Sequence, residues 1–264
     1  MKLKKIIRSN GVNTLIQGRY GYVILNKNDK YLTKAFLNYG ECNELELSFL
    51  RQILKKGDTV FDVGANIGNH SMFFSKQVGS TGKIFSFEPQ PQLFYMLCGN
   101  LALNSITNVT PYNKGVGKEE GYLWLPNIDY SSEYNFGGIS LQTKEDKLRI
   151  PVTTLDHFCD IDRVDLIKID VEGMEHEVIT GAMELILKFK PFLFVENDRV
   201  DKSEDLVKLI RSLGYKLYWV VTPLYNDHNI ANNSKNIFPS IVVKNMYCHH
   251  ESVVPLIENL QEIN

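Results

Sequence analysis

The chain alternates between short segments that are almost entirely apolar and longer segments whose apolar residues recur every three or four positions. The apolar segments predict strands at residues 59–63, 83–87, 109–112, 166–169, 192–195, 217–221 and 241–243. The longer segments predict helices at residues 44–56, 69–76, 175–189 and 204–213 (the last with Ser203 as its N-cap), and one helix that begins at Pro91. This alternation is typical of an α/β fold, in which helices cover both faces of a mainly parallel, doubly wound sheet.

Several regions lie outside this alternation. Residues 1–57 predict an N-terminal extension that consists of one strand, near residues 20–25, and the helix at 44–56. Residues 118–152 are rich in Asn, Ser, Gly and aromatic residues, and they predict an insertion such as a hairpin. Residues 251–264 predict a C-terminal tail. Because no linker-like segment separates these regions, we expect one structural domain around a main part at residues 58–250.

Composition and charge exclude several classes of partner. The chain has 29 Lys and Arg against 31 Asp and Glu, a formal net charge of −2. A nearly neutral chain has no overall positive field, so neither nucleic acid nor a membrane surface is expected as a partner. The basic start is followed by polar residues, which argues against a signal peptide, and no run reaches the ~20 apolar residues of a membrane helix. The four cysteines form no CxxC pair and fit a cytoplasmic protein. No protein partner is indicated.

The most informative segment is residues 61–69, Phe-Asp-Val-Gly-Ala-Asn-Ile-Gly-Asn, at a strand-to-helix junction. Gly64 would let a ligand approach the backbone, and Gly68 would let the helix begin close to the sheet. The N-terminus of that helix also offers free N–H groups. Glu88 ends the next strand, 20 residues after Gly68. An acidic residue at that offset binds the ribose hydroxyls of adenosine-containing cofactors.

The same junction discriminates between cofactors. Asn66 occupies the place of the middle glycine in the NAD fingerprint, which hinders the close approach of a pyrophosphate. S-adenosylmethionine has no phosphate, and Asp62 and Asn66 could bind its amino acid end. S-adenosylmethionine is therefore the favoured cofactor. A nicotinamide-dependent oxidoreductase and a non-catalytic nucleotide-binding or interaction module on the same fold stay open as alternatives. Nucleic-acid methylation ranks low because the chain lacks an Asn/Asp-Pro-Pro-Tyr/Phe motif.

Three blocks resemble the FkbM family of S-adenosylmethionine-dependent methyltransferases. They are residues 61–68, Phe87-Glu88-Pro89, and residues 167–175, Ile-Lys-Ile-Asp-Val-Glu-Gly-Met-Glu. The third is the most distinctive, since Asp-Val-Glu-Gly-x-Glu after a strand is uncommon in other methyltransferases. The resemblance covers roughly residues 41–224. It implies a Rossmann-like sheet with a terminal antiparallel strand and methyl transfer mainly to hydroxyl oxygens, with a saccharide or related small metabolite as acceptor.

The resemblance also implies a set of pocket residues. Those expected to line the cofactor pocket are Asp62, Gly64, Ala65, Asn66, Gly68 and Glu88. Val116, after the third strand, is expected to pack against the adenine, with an ordinary turn as the alternative. The aromatic stretch at 122–136 is expected to form a wall of the acceptor site. The alternative for this stretch is an accessory hairpin buried on the core.

Candidate catalytic residues follow two neighbouring strands. Asp170 is the first candidate for the base that removes or shares the hydroxyl proton. Glu172 is the second, with helix capping as its alternative role. Glu196 and Asn197 are expected to lie beside Asp170, and such oxygen ligands would also suit Mg²⁺. A metal-free base is favoured, because the catechol-type enzymes with this arrangement carry Asp where the chain has Glu. His70 could face the acceptor, although a structural role is preferred.

Overall fold

The N-terminal extension contains more structure than the one strand and one helix that the sequence predicts. The computed structural model describes residues 6–144, 146–257 and 260–263. A three-stranded antiparallel sheet of β1 (Arg8–Asn10), β2 (Asn13–Gly18) and β3 (Gly21–Asn26) precedes helices α1 (Leu32–Tyr39) and α2 (Glu44–Leu50). Helix α2 ends well before residue 56, because the N–H groups of Gln52 and Ile53 bond carbonyls only three residues back.

From residue 59 onward, strands and helices alternate as predicted. In chain order the elements are β4 (Thr59–Val63), α3 (Asn69–Val78), β5 (Lys83–Phe87), α4 (Pro91–Leu103), β6 (Val109–Tyr112), β7 (Gly115–Val116), β8 (Gly121–Leu125), β9 (Leu148–Thr153), β10 (Leu166–Ile169), α5 (Glu175–Thr180), α6 (Met183–Phe189), β11 (Phe192–Glu196), α7 (Val200–Ser212), β12 (Tyr215–Pro223), β13 (Val242–His250) and β14 (Gln261–Glu262).

The central sheet has eight strands in the order β14-β12-β13-β11-β10-β4-β5-β6. The five strands from β11 to β6 are parallel, while β13 runs antiparallel to both β11 and β12. This confirms the predicted Rossmann-like, doubly wound sheet with its antiparallel strand. Along the chain, β5 and β6 first extend the sheet on one side of β4, and β10 and β11 then extend it on the other side. The carboxyl ends of β4 and β10 therefore border the crevice where such sheets bind ligands.

Several predicted ends of helices are wrong, because tertiary contacts override the local sequence pattern. The helix predicted at 175–189 is broken between α5 and α6. A Cβ at Gly181 would lie 2.0 Å from the carbonyl oxygen of Gly117. The backbone at Gly181 therefore passes directly against the backbone that follows β7. Helix α7 begins at Val200, which places Ser203 inside it. The hydroxyl of Ser203 accepts a hydrogen bond from Asn197 instead of capping the helix. The tail contributes β14, which pairs with β12.

The region from residue 115 to residue 153 forms a small separate sheet in the order β7-β9-β8. Strands β8 and β9 are antiparallel, and the described residues between them, 126–144 and 146–147, form no further helix or strand. The extension packs on α4: Asn100 Oδ1 accepts from the N–H of Ile24 at 2.6 Å, and Asn104 Nδ2 donates to Tyr22 O at 2.7 Å. Ile16 and Leu25 of the extension share one apolar cluster with residues of α3 and α4. None of the helices in the described part of the chain is both long and apolar enough to cross a membrane.

Candidate active site

A cavity of about 470 Å³ opens at the carboxyl ends of β4, β5 and β10, at the point where the strand order reverses. The residues of the sequence prediction that line it are Gly64, Ala65, Asn66, Glu88, Val116, Asp170, Glu172 and Glu196. Asp62 and Gly68 are absent from the lining. The crevice thus brings the expected cofactor residues and the expected catalytic acids into one space.

Asp62 and Gly68, which were expected to line the pocket, lie outside the cavity lining. The side chain of Asp62 is fully buried, and its Oδ2 accepts a 2.5 Å hydrogen bond from Ser71 in α3. Successive side chains of a strand point to opposite faces, so a residue one place before the strand end need not face the crevice. Gly68 serves packing: its φ is +88°, and a Cβ there would lie 2.5 Å from the side chain of Leu97 in α4.

The glycine turn is held tightly between two strand ends. Gly64 has a φ of +79°, and a Cβ at this position would lie 1.7 Å from the carbonyl oxygen of Asp170. A larger residue would separate the turn from β10. Asn66 has a φ of +52°, and its Oδ1 accepts a hydrogen bond from the N–H of Ile67 at 2.8 Å. This local bond supports the left-handed backbone, which asparagine tolerates better than most residues.

Glu88 is a buried carboxyl fixed by two backbone donors. The N–H of Asn66 donates to Oε2 and the N–H of Gln90 donates to Oε1, both at 2.8 Å. Burial raises the pKa of Glu88 to about 7, although these donors and Lys168 oppose the rise. The two backbone donors therefore stabilise the charged form of Glu88 only in part. The two hydroxyls of a ribose are donors of the kind this carboxylate lacks, so the site fits an adenosine-containing cofactor.

Lys168 also lines the cavity, and the sequence analysis gave it no role. It is 2% exposed in the middle of β10, and its Nζ lies 3.0 Å from Gly64 O, 3.2 Å from Asp170 Oδ2 and 3.6 Å from Asp62 Oδ1. Burial alone would lower its pKa, but the two carboxylates raise it. The signal was present in the sequence, because a lysine within an apolar strand is rarely buried without charged partners.

Asp170, Glu172 and Glu196 form a cluster in which one carboxylate oxygen of each lies within 4.8 Å of the others. Despite partial burial, Lys168 holds the pKa of Asp170 below its usual value. Burial and the neighbouring Asp170 raise the pKa of Glu172 to about 7 and that of Glu196 well above its usual value. Arg199 pairs with Glu172 at 2.7 Å. The acids of the cluster thus differ in acidity, because Lys168 favours the charged form of Asp170 whereas burial beside Asp170 favours the protonated form of Glu196.

Asn197 does not join this cluster, contrary to the expectation. Its Nδ2 donates to Ser203 Oγ at 2.9 Å and contacts Met246 Sδ at 3.1 Å. It follows Glu196 directly, so its side chain leaves the backbone on the opposite side. Glu196 itself keeps one buried oxygen, Oε2, for which the described residues offer no hydrogen-bond partner.

The extension supplies a wall of the cavity that the sequence analysis missed. Its lining residues are Asp29, Tyr31, Leu32, Cys42 and Asn43. His70, at the start of α3, also lines the cavity, and its Nε2 lies 2.8 Å from Oε1 of the buried Glu46 in α2. The imidazole is thus oriented by an acid of the extension.

The insertion also borders the cavity, but through different residues than expected. The lining is formed by Asn135, Gly137, Gly138, Ile139 and Leu141. The aromatic residues lie elsewhere: Phe136 is 1% exposed in the core, while Tyr122 and Tyr134 are more than half exposed to solvent. The insertion therefore borders the cavity through small, polar and aliphatic residues, while Phe136 lies in the core and Tyr122 and Tyr134 lie on the surface.

Comparison with known proteins decides the family. Residues 62–217, more than half of the chain, match the model of the Methyltransferase FkbM domain. The chain belongs to the FkbM methyltransferase family. Residues 62–217 therefore form a methyltransferase domain of a family that uses S-adenosylmethionine, which argues against the nicotinamide-dependent alternative. The chain spans 60% of the length of the first curated relative described below. All three blocks that carry the resemblance fall within or begin next to the matched residues.

Individual relatives are distant. Methyltransferase sdnD of Sordaria araneosa is 28% identical over 158 residues, which are 47% of this chain and 60% of that protein. Hexuronic acid methyltransferase AglP of Haloferax volcanii is 27% identical over 189 residues, 70% of this chain and 74% of that protein. Among solved structures, Methyltransferase FkbM from Methylobacillus flagellatus KT has 17% identity and a TM-score of 0.49, covering 81% of this chain and 53% of that chain.

Proposed function

We propose that the protein transfers the methyl group of S-adenosylmethionine to a hydroxyl oxygen of a saccharide or a related small metabolite. The observation that carries this proposal is the meeting of Glu88 and the acid cluster around Asp170 in one cavity. A carboxylate that Lys168 keeps in its charged form, beside a carboxyl whose pKa is raised, suits a polyhydroxylated acceptor, since a charged carboxylate accepts hydrogen bonds and a protonated one can also donate them. The relative AglP, named for action on a hexuronic acid, supports a saccharide.

Residues near the glycine turn would hold the cofactor. Glu88 accepts the ribose hydroxyls, Asn66 and the backbone at Gly64 and Ala65 face its amino acid end, and Val116 packs against the adenine. Asp62 lies outside the cavity lining and positions Lys168 through an ion pair of 3.6 Å. When bound, S-adenosylmethionine supplies a methyl carbon activated by a positively charged sulfur. The protein then has to align the acceptor oxygen with that carbon and exclude water.

Asp170 accepts the proton of the acceptor hydroxyl. A carboxylate of low pKa is sufficient, because the hydroxyl becomes strongly acidic as its oxygen forms the bond to carbon. Lys168 fixes the position of Asp170 from one side. The buried Oε2 of Glu196, which has no hydrogen-bond partner among the described residues, orients a neighbouring hydroxyl, and Glu172 forms the edge of the site with Arg199.

A magnesium site at the same cluster is the second candidate, because three carboxylate oxygens lie within 4.8 Å of one another. The neighbouring cations favour the metal-free arrangement. Lys168 lies 3.2 Å from Asp170, and Arg199 lies 2.7 Å from Glu172, so two of the three acids already have a positive partner. A cation bound at this cluster would have to compete with both.

Cofactor placement is tested by calorimetric titration with S-adenosylmethionine. We expect Glu88→Ala to weaken binding at least tenfold, which corresponds to about 1.4 kcal/mol or more. Glu204→Ala, in an exposed acid of α7, is the matched control and should bind as the wild type does. Equal affinity of the Glu88 variant, or no binding by folded wild type, would contradict the placement.

The reaction is tested by incubating the protein and labelled cofactor with hexuronic acids, hexoses and their glycosides, with and without excess EDTA. We expect a methyl ether as product, equal rates in EDTA, and a loss of about a hundredfold or more for Asp170→Asn with cofactor affinity preserved. A product methylated on nitrogen or carbon would overturn the proposal. Loss of activity in EDTA that Mg²⁺ restores would replace the metal-free base with the metal site.

A further inference from the structure

Gln90 joins the strand end that carries Glu88 to the wall that the insertion contributes to the cavity. It is 3% exposed and immediately precedes α4. Its backbone N–H donates to Glu88 Oε1 at 2.8 Å, its Nε2 donates to Phe136 O at 2.7 Å, and its Oε1 accepts from the hydroxyl of Tyr130 at 3.0 Å. One residue therefore bonds the cofactor acid through its backbone and the insertion through its side chain.

The bonded part of the insertion reaches from the cofactor side of the cavity to the acid cluster. The rings of Tyr130 and Phe136 pack together with their centroids 5.0 Å apart. Next along the chain, a Cβ at Gly137 would lie 2.7 Å from Asn66 Nδ2, so the wall touches the glycine turn. Beyond it, the hydroxyl of Ser140 donates to the carbonyl of Glu172. The position of this wall therefore affects both halves of the site.

Cofactor binding can act on the wall through the Glu88 carboxyl. Hydroxyl donors from a ribose would stabilise the charged form of this buried group. A hydrogen bond to a charged carboxylate is shorter and stronger than one to a neutral carboxyl. The bond from the Gln90 N–H is therefore strengthened when the cofactor binds, and Gln90 is held more firmly against Phe136 and Tyr130. Without the amide of Gln90, Phe136 O loses its bond in a buried position, which is costly, and the Tyr130 hydroxyl loses its bond in a half-buried one.

We propose that Gln90 is a positioning residue that couples cofactor binding at Glu88 to the ordering of residues 126–141, so that the acceptor wall is fixed when the cofactor is in place. The proposal rests on the cofactor placement proposed above. It assigns to Gln90 no contact with the reacting atoms. Its consequence is an ordered mechanism, in which the acceptor binds more tightly to the cofactor-loaded protein than to the free protein.

The test is hydrogen–deuterium exchange of the full chain with and without S-adenosylhomocysteine. In wild type, the nucleoside should slow exchange both in peptides that contain residues 64–68 and in peptides that cover 126–141. In Gln90→Met, which keeps the side-chain length but removes the amide, protection at 64–68 should persist while protection at 126–141 falls at least threefold. Affinity for S-adenosylhomocysteine should change by less than about threefold.

Two further variants keep the test decisive. Asn229→Leu removes another buried amide with three side-chain hydrogen bonds outside the cavity lining, and it should keep the protection at 126–141. Tyr130→Phe removes only the hydroxyl that bonds Gln90, and it should lose part of that protection if Gln90→Met fails to fold. Full protection of 126–141 in the Gln90 and Tyr130 variants overturns the coupling alone. Absence of protection at 64–68 in wild type overturns the cofactor placement and the coupling together.

Discussion

Lys168 carries a positive charge into the apolar centre of the sheet, where it compensates two acids at once. Its Nζ lies between Asp62 and Asp170, and the side chains of Lys168 and Asp62 are almost inaccessible to solvent. Removing one partner of a buried ion pair leaves an uncompensated charge, which costs more than the pair contributes. The arrangement connects the stability of the β4–β10 junction with the position of the proposed base.

Lys168→Met should therefore lower the free energy of unfolding by at least about 3 kcal/mol, as measured by urea denaturation. Adding Asp62→Asn should recover part of this loss, because it removes a carboxylate that the lysine compensates. Lys83→Met, in an exposed lysine of the neighbouring strand β5, should have little effect. Strictly additive losses in the double variant would show that the pair is not coupled.

The raised pKa of Glu88 makes cofactor affinity depend on pH. The cofactor binds the charged carboxylate, and the fraction of this form falls as pH drops below about 7. Calorimetry with S-adenosylhomocysteine should show affinity that is nearly constant above pH 8 and weakens by about tenfold per pH unit below about pH 6. Glu172 and Glu196 also titrate in this cavity, so Glu88→Gln is the control. An equally steep pH dependence in that variant would assign the effect to the acid cluster.

Single residues were predictable where spacing along the chain determines their place. Glu88 follows from its offset after the glycine turn, and Asp170 follows from its position at a strand end. Asp62 was expected in the pocket but lies outside the cavity lining, because the motif does not tell which face of β4 each side chain occupies. Gln90 received no role, since its partners lie 40 and 46 residues away in the insertion.

Among the elements, the buried parallel strands were predicted best. The bounds of β4 and β10 agree with the prediction, because short apolar runs with both faces covered leave little ambiguity. Strands β12 and β13 extend further than their apolar runs. They form an antiparallel pair near the sheet edge, and β12 mixes buried, partly exposed and exposed residues. Hydropathy alone underestimates such strands.

The extension shows the same limit more strongly. Strand β2 reads Asn-Thr-Leu-Ile-Gln-Gly, with only two strongly apolar residues, yet it lies in the centre of the three-stranded sheet. Of its two apolar side chains, Ile16 is buried in the apolar cluster that also contains residues of α3 and α4, whereas Leu15 is only half-buried. The break between α5 and α6 likewise depends on Gly181 meeting Gly117, a contact between residues 64 positions apart. Tertiary contacts of this kind have no local signal.

At the scale of the whole molecule, Glu41 ties the extension to the far end of the chain. Its buried carboxylate accepts hydrogen bonds from Arg19 in the extension at 2.7 Å and from Asn226 at 2.7 Å. The N–H of Ile230 donates to the same carboxylate at 3.1 Å. The loop between β12 and β13 is thereby fixed against the extension. We therefore expect the extension and the sheet to unfold together.

Glu41→Gln should test this expectation. The amide keeps the size of the side chain but loses the charge, so the hydrogen bonds from Arg19 and the backbone weaken by about 2 kcal/mol or more in total. Urea denaturation followed by fluorescence and by circular dichroism should show a lower midpoint and still one coincident transition. Glu133→Gln, which removes an exposed partner of Lys34 on the insertion, should leave the midpoint nearly unchanged. Two separate transitions in the Glu41 variant would show that the extension folds as an independent unit.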